Sequence, residues 1–445
     1  MDYPKKFTRY FYFFVALFLF SLGLRLIFFY AYTQHDFHYL LAFDSDQYHQ
    51  IALKIAHGQG ISTQTGAPNF YRLPGYPLFL GFLYKFFNDN VITTLAIQVV
   101  LVSIIPCLLF LLAQTLAPTY PFVAYLSGIT AALHSGFILY AGILSTESLF
   151  LLFFLIFLVV FFSAVQQKRV GPFICAGIIL GIASLIRPVG HYLVIVSLAV
   201  LALYNWKLRC SISFFLAWLG TISWWLLRNF ILTGALFFHT LPGLHFLQYS
   251  AVYVVQEIYH CDYFQAKNIA FDEWEARCSQ ESTRAEKLSE HKRYAIAHTL
   301  AFEYLFAHPW YAIKHALIQI ARTCGTLYST ILLYVKPGTV YPPDASLWFK
   351  IKLYLYPTVM TWWTRFVIYL ELILSLFMIV GISIFLVKSR SNSTYRNMFG
   401  KTVPFALTLI VITLAYGCAR LRFAVEPFLI LYAACGWNSV FLRRE

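Results

Sequence analysis

Ten apolar runs, each near the length that crosses a bilayer, constrain this chain more than any other feature in it. They lie close to residues 11–32, 91–113, 122–143, 147–165, 171–186, 189–205, 211–227, 363–387, 402–419 and 424–441. None alternates polar and apolar residues with period two, which excludes membrane β-strands and leaves helices as the spanning structure. Only 12% of the 445 residues are charged, where a soluble globular chain carries about a quarter. The expected fold is an all-α polytopic membrane protein of about ten transmembrane helices, with amphipathic helices in the first loop that leaves the membrane.

Lys5, Lys6 and Arg9 precede the first run, which is span-length and aromatic to its end. That pattern predicts a signal-anchor with its N-terminus in the cytoplasm rather than a cleaved leader. Basic residues test the orientation: Lys168/Arg169, Lys207/Arg209, the run from Lys388 to Lys401 and Arg443/Arg444 all fall on the N-terminal side when every run spans. Three regions then face the opposite, extracytoplasmic side: residues 33–90, the turn from Ser145 to Glu147, and the stretch 228–362. No repeat or linker divides the chain, so 1–445 reads as one membrane domain with an elaborated outer loop. Between His308 and Val335 the apolar pattern is broken by Lys314, His315 and Arg322. This predicts an interfacial amphipathic helix, or one of an additional pair of spans that brings the total to twelve.

The net charge of +14 is scattered over membrane loops, where positive-inside bias accounts for it, and no nucleic-acid partner is expected. The eight cysteines show no metal-like spacing. Six lie in or beside apolar runs, where a thiol behaves as a small hydrophobe. Cys261 and Cys278 share one polar segment and are able to pair there if it is extracytoplasmic.

The residues with chemical potential begin just after the first run, in FDSDQYHQIALKIAHGQGISTQTGAPNFYRLPGYPLFL, residues 43–80. On a helix, Tyr48, Ile51 and Ile55 fall within about 40° of Asp44. Asp46 lies on the other side, with His49, Gln50 and Leu53. Asp44 therefore heads an apolar, membrane-facing stripe, and a carboxylate beside apolar groups has a raised proton affinity, as suits a general base. The same position also fits a helix N-cap. In YRLPGYPLFL, two prolines and a glycine predict a rigid re-entrant turn carrying Arg72 and Tyr76. A guanidinium there suits phosphate or snorkels to headgroups.

Arg187, Arg228, Arg420 and Arg422 all sit at extracytoplasmic span ends, against the positive-inside trend. With Arg72 they suggest a cationic basin for an anionic ligand. Glu147 follows Ser145 and Thr146 at a span start, where an acid is also ordinary helix N-terminal chemistry. Glu426 lies inside an apolar run before a proline and is placed to pair with Arg420 or Arg422. His134, His191, His239 and His245 lack metal spacing and are read as structural or interfacial. Such a basin suits transfer of a sugar from a lipid phosphate: Asp44 deprotonates an acceptor hydroxyl, and the arginines stabilise the departing phosphate. A single displacement of this kind inverts the anomeric carbon. The competing class is a transporter or flippase of a lipid-linked glycan, which places polar residues at the midplane on repeat-related broken helices.

These residues resemble the GT-C superfamily of polyprenyl-phosphate-sugar-dependent glycosyltransferases, including protein O-mannosyltransferases, lipid A aminoarabinose transferases and related transferases of lipopolysaccharide core. The resemblance is carried by Asp44, Tyr48 and Ala52, by Arg72 and Pro74, by Glu147, and by LIRPVGHYL, WWLLRNFILTGALFF and ARLRFAVEPFLILYAA. It implies Asp44 as catalytic base and the arginines as carrier-phosphate ligands. It also implies a glycan, lipid or protein acceptor, a hexosyl or pentosyl donor, and a bacterial inner-membrane location with the site facing the periplasm. The family's usual Asp-Glu pair is Asp-Ser-Asp here, so Asp46 carries no assigned role beyond the substrate region. Some members are associated with a divalent metal, for which this chain has no dedicated ligand set.

Overall fold

The computed structural model describes residues 3–35, 44–167, 169–281, 288–330 and 362–441. Each of the ten apolar runs coincides with helix, and among the described residues no strand forms beyond one isolated bridge between Ser62 and Pro68. The helices are α1 Tyr3–His35, α2 Ser45–Ala56, α3 Gly75–Phe87, α4 Val91–Val102, α5 Ile105–Leu116, α6 Pro121–Leu133 and α7 Ser135–Leu139. They continue as α8 Thr146–Gln167, α9 Val170–Ile186, α10 Val189–Leu203, α11 Leu208–Thr233, α12 Leu241–His245, α13 Val252–Tyr259, α14 Tyr263–Glu281 and α15 Glu290–Ala307. The last are α16 Pro309–Gly325, α17 Trp362–Lys388, α18 Ser393–Val411, α19 Ala419–Arg422 and α20 Glu426–Phe441.

Five helical stretches among the described residues are long and apolar enough to cross a membrane unaided, and a sixth forms if the pair bent by 54° at His134 is one span. The protein is an integral membrane protein built as an α-helical bundle. Without a hydrophobic drive between helices in lipid, close approach depends on small residues. Gly177 and Gly181, four residues apart on α9, supply it against α11. A Cβ on Gly177 would stand 2.3 Å from Phe214 O, and one on Gly181 2.5 Å from the Thr221 Cβ. The Trp218 indole, also on α11, donates to Ser184 Oγ of α9 at 3.1 Å.

One expectation changes at the helix ends. The run from Lys388 to Lys401 is not a loop throughout: Asn392 accepts from Tyr395 N and starts α18 at Ser393, so its second half is helical. Arg443/Arg444 and Lys168 lie outside the described residues, as do residues 331–335 of the proposed interfacial helix. The described part of that segment is α16, a single helix of 17 residues, with Trp310, Ile313 and Leu317 exposed along one side. His315 and Gln319 lie buried on the other.

Helices α12–α15 form a small cap with its own core, built from Leu247, Val252, Val255, Ala270, Trp274 and Leu300 among others. Cys278 belongs to this core, and both it and Cys261 are free thiols. Cys261 lies two residues before α14 begins at Tyr263, and Cys278 lies about 22 Å along that helix at about 1.5 Å per residue, so the pairing open in the sequence does not form.

Candidate active site

The first loop is positioned by three local devices. Ser45 Oγ donates to Leu144 O at 2.7 Å, tying the start of α2 to the segment that leads into α8. Asn69 accepts from Arg72 N at 3.3 Å and donates to Arg72 O at 2.8 Å, folding the chain back so that Arg72 points inward. Gly75 then passes so close to α9 that a Cβ would meet Leu185 O at 2.7 Å. The turn read from the prolines is thus seated against the end of α9.

Asp44 occupies the N-cap position of α2, but its side chain makes no cap hydrogen bond. Its carboxylate is held instead by two guanidiniums. Arg72 Nη2 donates to Oδ1 at 2.7 Å, and Arg420 Nη2 pairs with Oδ2 at 3.0 Å. Arg420 also donates through Nε to Glu147 Oε1, and Arg187 Nη1 pairs with the same oxygen at 2.7 Å. Five side chains from the first loop, α8, the α9 end and α19 thereby form one chain of charge: Arg72, Asp44, Arg420, Glu147 and Arg187. Three cations against two carboxylates leave a net charge of +1. Glu147 is fully buried, whereas the Asp44 side chain is 34% exposed and is the acid that a ligand can reach.

Several expectations are corrected here. Burial alone would raise the proton affinity of Asp44, but Arg420 and Arg72 outweigh it and hold the carboxyl below its usual 3.8. Its apolar stripe is not membrane-facing: Tyr48 and Ile51 are buried, and Ile55 is covered by Gly81 of α3, whose ideal Cβ would stand 2.7 Å from Ile55 Cγ2. Asp46 is exposed and accepts from Gln50 Nε2 at 3.5 Å. Tyr48 is buried and packs edge-on against Tyr76 while the Arg72 guanidinium lies over its ring. Tyr76 is itself fully buried, with its hydroxyl donating to Gln98 Oε1 at 2.8 Å, so it braces the scaffold rather than facing a substrate.

The arginine basin also divides. Arg228 donates to Asn69 O and Ile61 O, both at 3.0 Å, and stacks on Phe70 and Trp225. It clamps the first loop onto α11. Arg422 pairs with Glu426 Oε1 at 2.6 Å and donates to Thr323 O, Cys324 O and Thr326 O. Glu426 also receives Tyr328 OH at 2.9 Å and lies 3.4 Å from His134 Nε2, so this second cluster anchors the end of α16. Arg228, Arg422 and Glu426 are therefore committed to holding backbone and helices. Arg72, Arg187 and Arg420 remain at the acid cluster.

Two contributors escaped the sequence reading: Gln47 accepts from Arg72 Nε at 2.8 Å, and Asn69 builds the turn. His239 and His245, read from the sequence as structural or interfacial, lie toward the same cluster. Asn69 follows Pro68 and precedes Arg72 by three, which is a readable turn signal. The histidines carried no such mark. Two further ionisable side chains, Arg25 and Glu371, are buried within helices; Glu371 accepts from the backbone N–H groups of Tyr328 and Ser329. Among the described residues, no group of three or more His, Cys, Asp or Glu side chains is arranged to hold a metal ion. The two central carboxylates face guanidiniums, a donor set that does not fit a divalent cation.

No family model and no curated protein matches the chain. Solved structures resemble it. One is the Archaeoglobus fulgidus oligosaccharyltransferase tethered to an acceptor peptide, at 12% identity and a TM-score of 0.47 over 97% of this chain. Another is ArnT from Cupriavidus metallidurans bound to undecaprenyl phosphate, at 12% identity and a TM-score of 0.40, covering 98% of this chain and 79% of that one. The same ArnT in its apo state gives 14% identity and a TM-score of 0.34, covering 90% and 77%. The chain spans about half the length of the oligosaccharyltransferase, of which 49% is covered.

Proposed function

We propose that this protein is a membrane glycosyltransferase that moves a sugar from a polyprenyl-phosphate donor to an acceptor hydroxyl, with the site on the periplasmic face of a bacterial inner membrane. The observation that carries the reading is Asp44, one-third exposed and gripped between Arg72 and Arg420. Each carboxylate oxygen uses one lone-pair direction on a guanidinium and keeps another for an incoming hydroxyl. Among the described residues Arg72 bonds through Nε and Nη2, which leaves Nη1 for a phosphate oxygen.

A base held this acidic is a weak one at the start of reaction. It suits an acceptor oxygen whose proton becomes acidic only as its bond to the anomeric carbon forms, while the carrier phosphate departs with growing negative charge. The acceptor C–O bond forms, the anomeric C–O bond to phosphate breaks, and the acceptor proton passes to Asp44. The net charge of +1 at the cluster favours the phosphate as it leaves. Attack opposite the departing phosphate inverts the anomeric centre. The sugar, whether hexosyl or pentosyl, and the acceptor class are set by groups around this core.

The test is Asp44→Asn in the purified protein, reconstituted with polyprenyl-phosphate sugars and membrane acceptors. Loss of general-base action lowers turnover by roughly 10²–10⁴-fold while carrier binding persists. Turnover near that of the wild type would overturn the assignment of Asp44.

A further inference from the structure

The segment 237–240 is pinned beside the charged cluster from three directions. Trp225 Nε1 donates to Phe238 O at 2.6 Å, Asn229 Nδ2 donates to Phe237 O at 3.1 Å, and Thr240 N donates to Phe70 O at 3.1 Å. This places the His239 ring 6.2 Å from that of His191 on α10, four residues beyond Arg187. Phe238 stands 5.1 Å from the His191 ring as an apolar wall. His245, at the end of α12, senses the charges of Arg72, Asp44 and Arg420, and His239 senses Arg72. Of the three imidazoles, His239 and His245 therefore lie toward the acid–arginine cluster, and His191 packs beside His239.

Two of them are chemically incomplete. Among the described residues, the Nδ1 atoms of both His191 and His239 are buried and have no hydrogen-bond partner. A buried polar atom left unpaired is costly, and two in one cluster point to a ligand that supplies the missing partners. We propose that His191 and His239, with His245 nearer the carboxylate, form a subsite for the ring hydroxyls of an uncharged sugar carried by the lipid donor. This subsite rests on the glycosyltransferase reading above.

The chemistry of the group favours that ligand. Burial holds His239 down to about 3 and His245 down to about 4, and neighbouring cations act in the same direction. Neutral imidazoles each offer one donor and one acceptor, which is also what a hydroxyl offers. An ammonium group on the sugar would need an acid. The three imidazoles supply no carboxylate for it, and Asp44, the exposed acid of the cluster, keeps its remaining lone pairs for the acceptor hydroxyl.

The full-length protein in lipid nanodiscs tests this through its affinity for undecaprenyl phosphate and for its glucosyl, mannosyl, galactosyl and glucosaminyl forms. At least one neutral glycosyl form binds about tenfold or more tighter than the bare carrier. His191→Ala and His239→Ala each remove about three- to tenfold of that margin and leave bare-carrier affinity unchanged. His239→Gln, which keeps a hydrogen-bonding amide, restores part of it. A margin untouched by both alanine variants overturns the subsite, as does absence of any sugar margin in the wild type or preference for the glucosaminyl form. Failure of the wild type to bind bare carrier overturns the glycosyltransferase reading as well, so the two failures are told apart.

Discussion

Arg420 touches both carboxylates of the cluster, and replacing it with glutamine gives a sharp test of how that cluster is held. Glu147 is fully buried, and removing one partner of a buried ion pair costs about 3–5 kcal/mol. Arg187 stays on the same oxygen at 2.7 Å, which puts the loss at ~3 kcal/mol. Asp44 keeps Arg72 at 2.7 Å and is one-third exposed, so solvent screening limits its added cost to below about 1 kcal/mol. Glu147→Gln alone should cost a similar ~3 kcal/mol, because two guanidiniums lose their shared acid. The double variant should fall short of the summed single losses by about 2 kcal/mol, since the second change no longer strands a charge. The assay is reversible unfolding in mixed micelles, followed by tryptophan fluorescence, for the wild type and the three variants. Coupling below ~0.5 kcal/mol, the margin expected of independent sites, would refute the shared-cation arrangement.

Other outcomes follow from the same geometry. Asp44 has a depressed folded-state value, so its contribution to stability is complete above about pH 4 and is lost as pH falls through that lower value. The acid limb of kcat/KM therefore lies below the usual carboxylate range. Arg72→Gln, which leaves burial opposed by one cation, moves it upward; a pH–rate profile with an unmoved limb counts against the clamp. Tyr76→Phe strands Gln98 Oε1 and lowers stability by about 1–3 kcal/mol without changing donor affinity, as paired unfolding and binding titrations can check. Gly75→Ala drives a Cβ to 2.7 Å from Leu185 O and should cost ~1–3 kcal/mol, so wild-type melting in that variant contradicts the close seating of the re-entrant turn.

Much of this protein is readable without a structure because a bilayer leaves few choices. Backbone groups in hydrocarbon must be paired within a segment, so an apolar run of span length becomes a helix wherever it lies. That rule located the ten helical runs, while prolines and a glycine marked the turn after Arg72 and charges at the run ends marked Asp44, Arg72, Glu147, Arg187 and Arg420 as candidates. Helix ends resisted because they depend on one capping contact, such as Asn392 to Tyr395, which extends α18 into a basic stretch.

Pairing among the charges was decided by tertiary structure alone. Arg420 and Glu147 are 273 positions apart and share an ion pair, while Arg422, two residues from Arg420, turns to Glu426 and three backbone carbonyls. No periodicity encodes which of two neighbouring arginines faces which acid. The state of Asp44 follows from that choice. Its own helix predicts a raised proton affinity, and only the arrival of Arg72 from the re-entrant turn and Arg420 from a distant helix end reverses the sign. Local sequence sets which groups are present at the membrane surface, because burial and backbone pairing act over a few residues. The packing of distant helices sets what those groups do, because charge interactions depend on ångströms of separation that no linear spacing specifies.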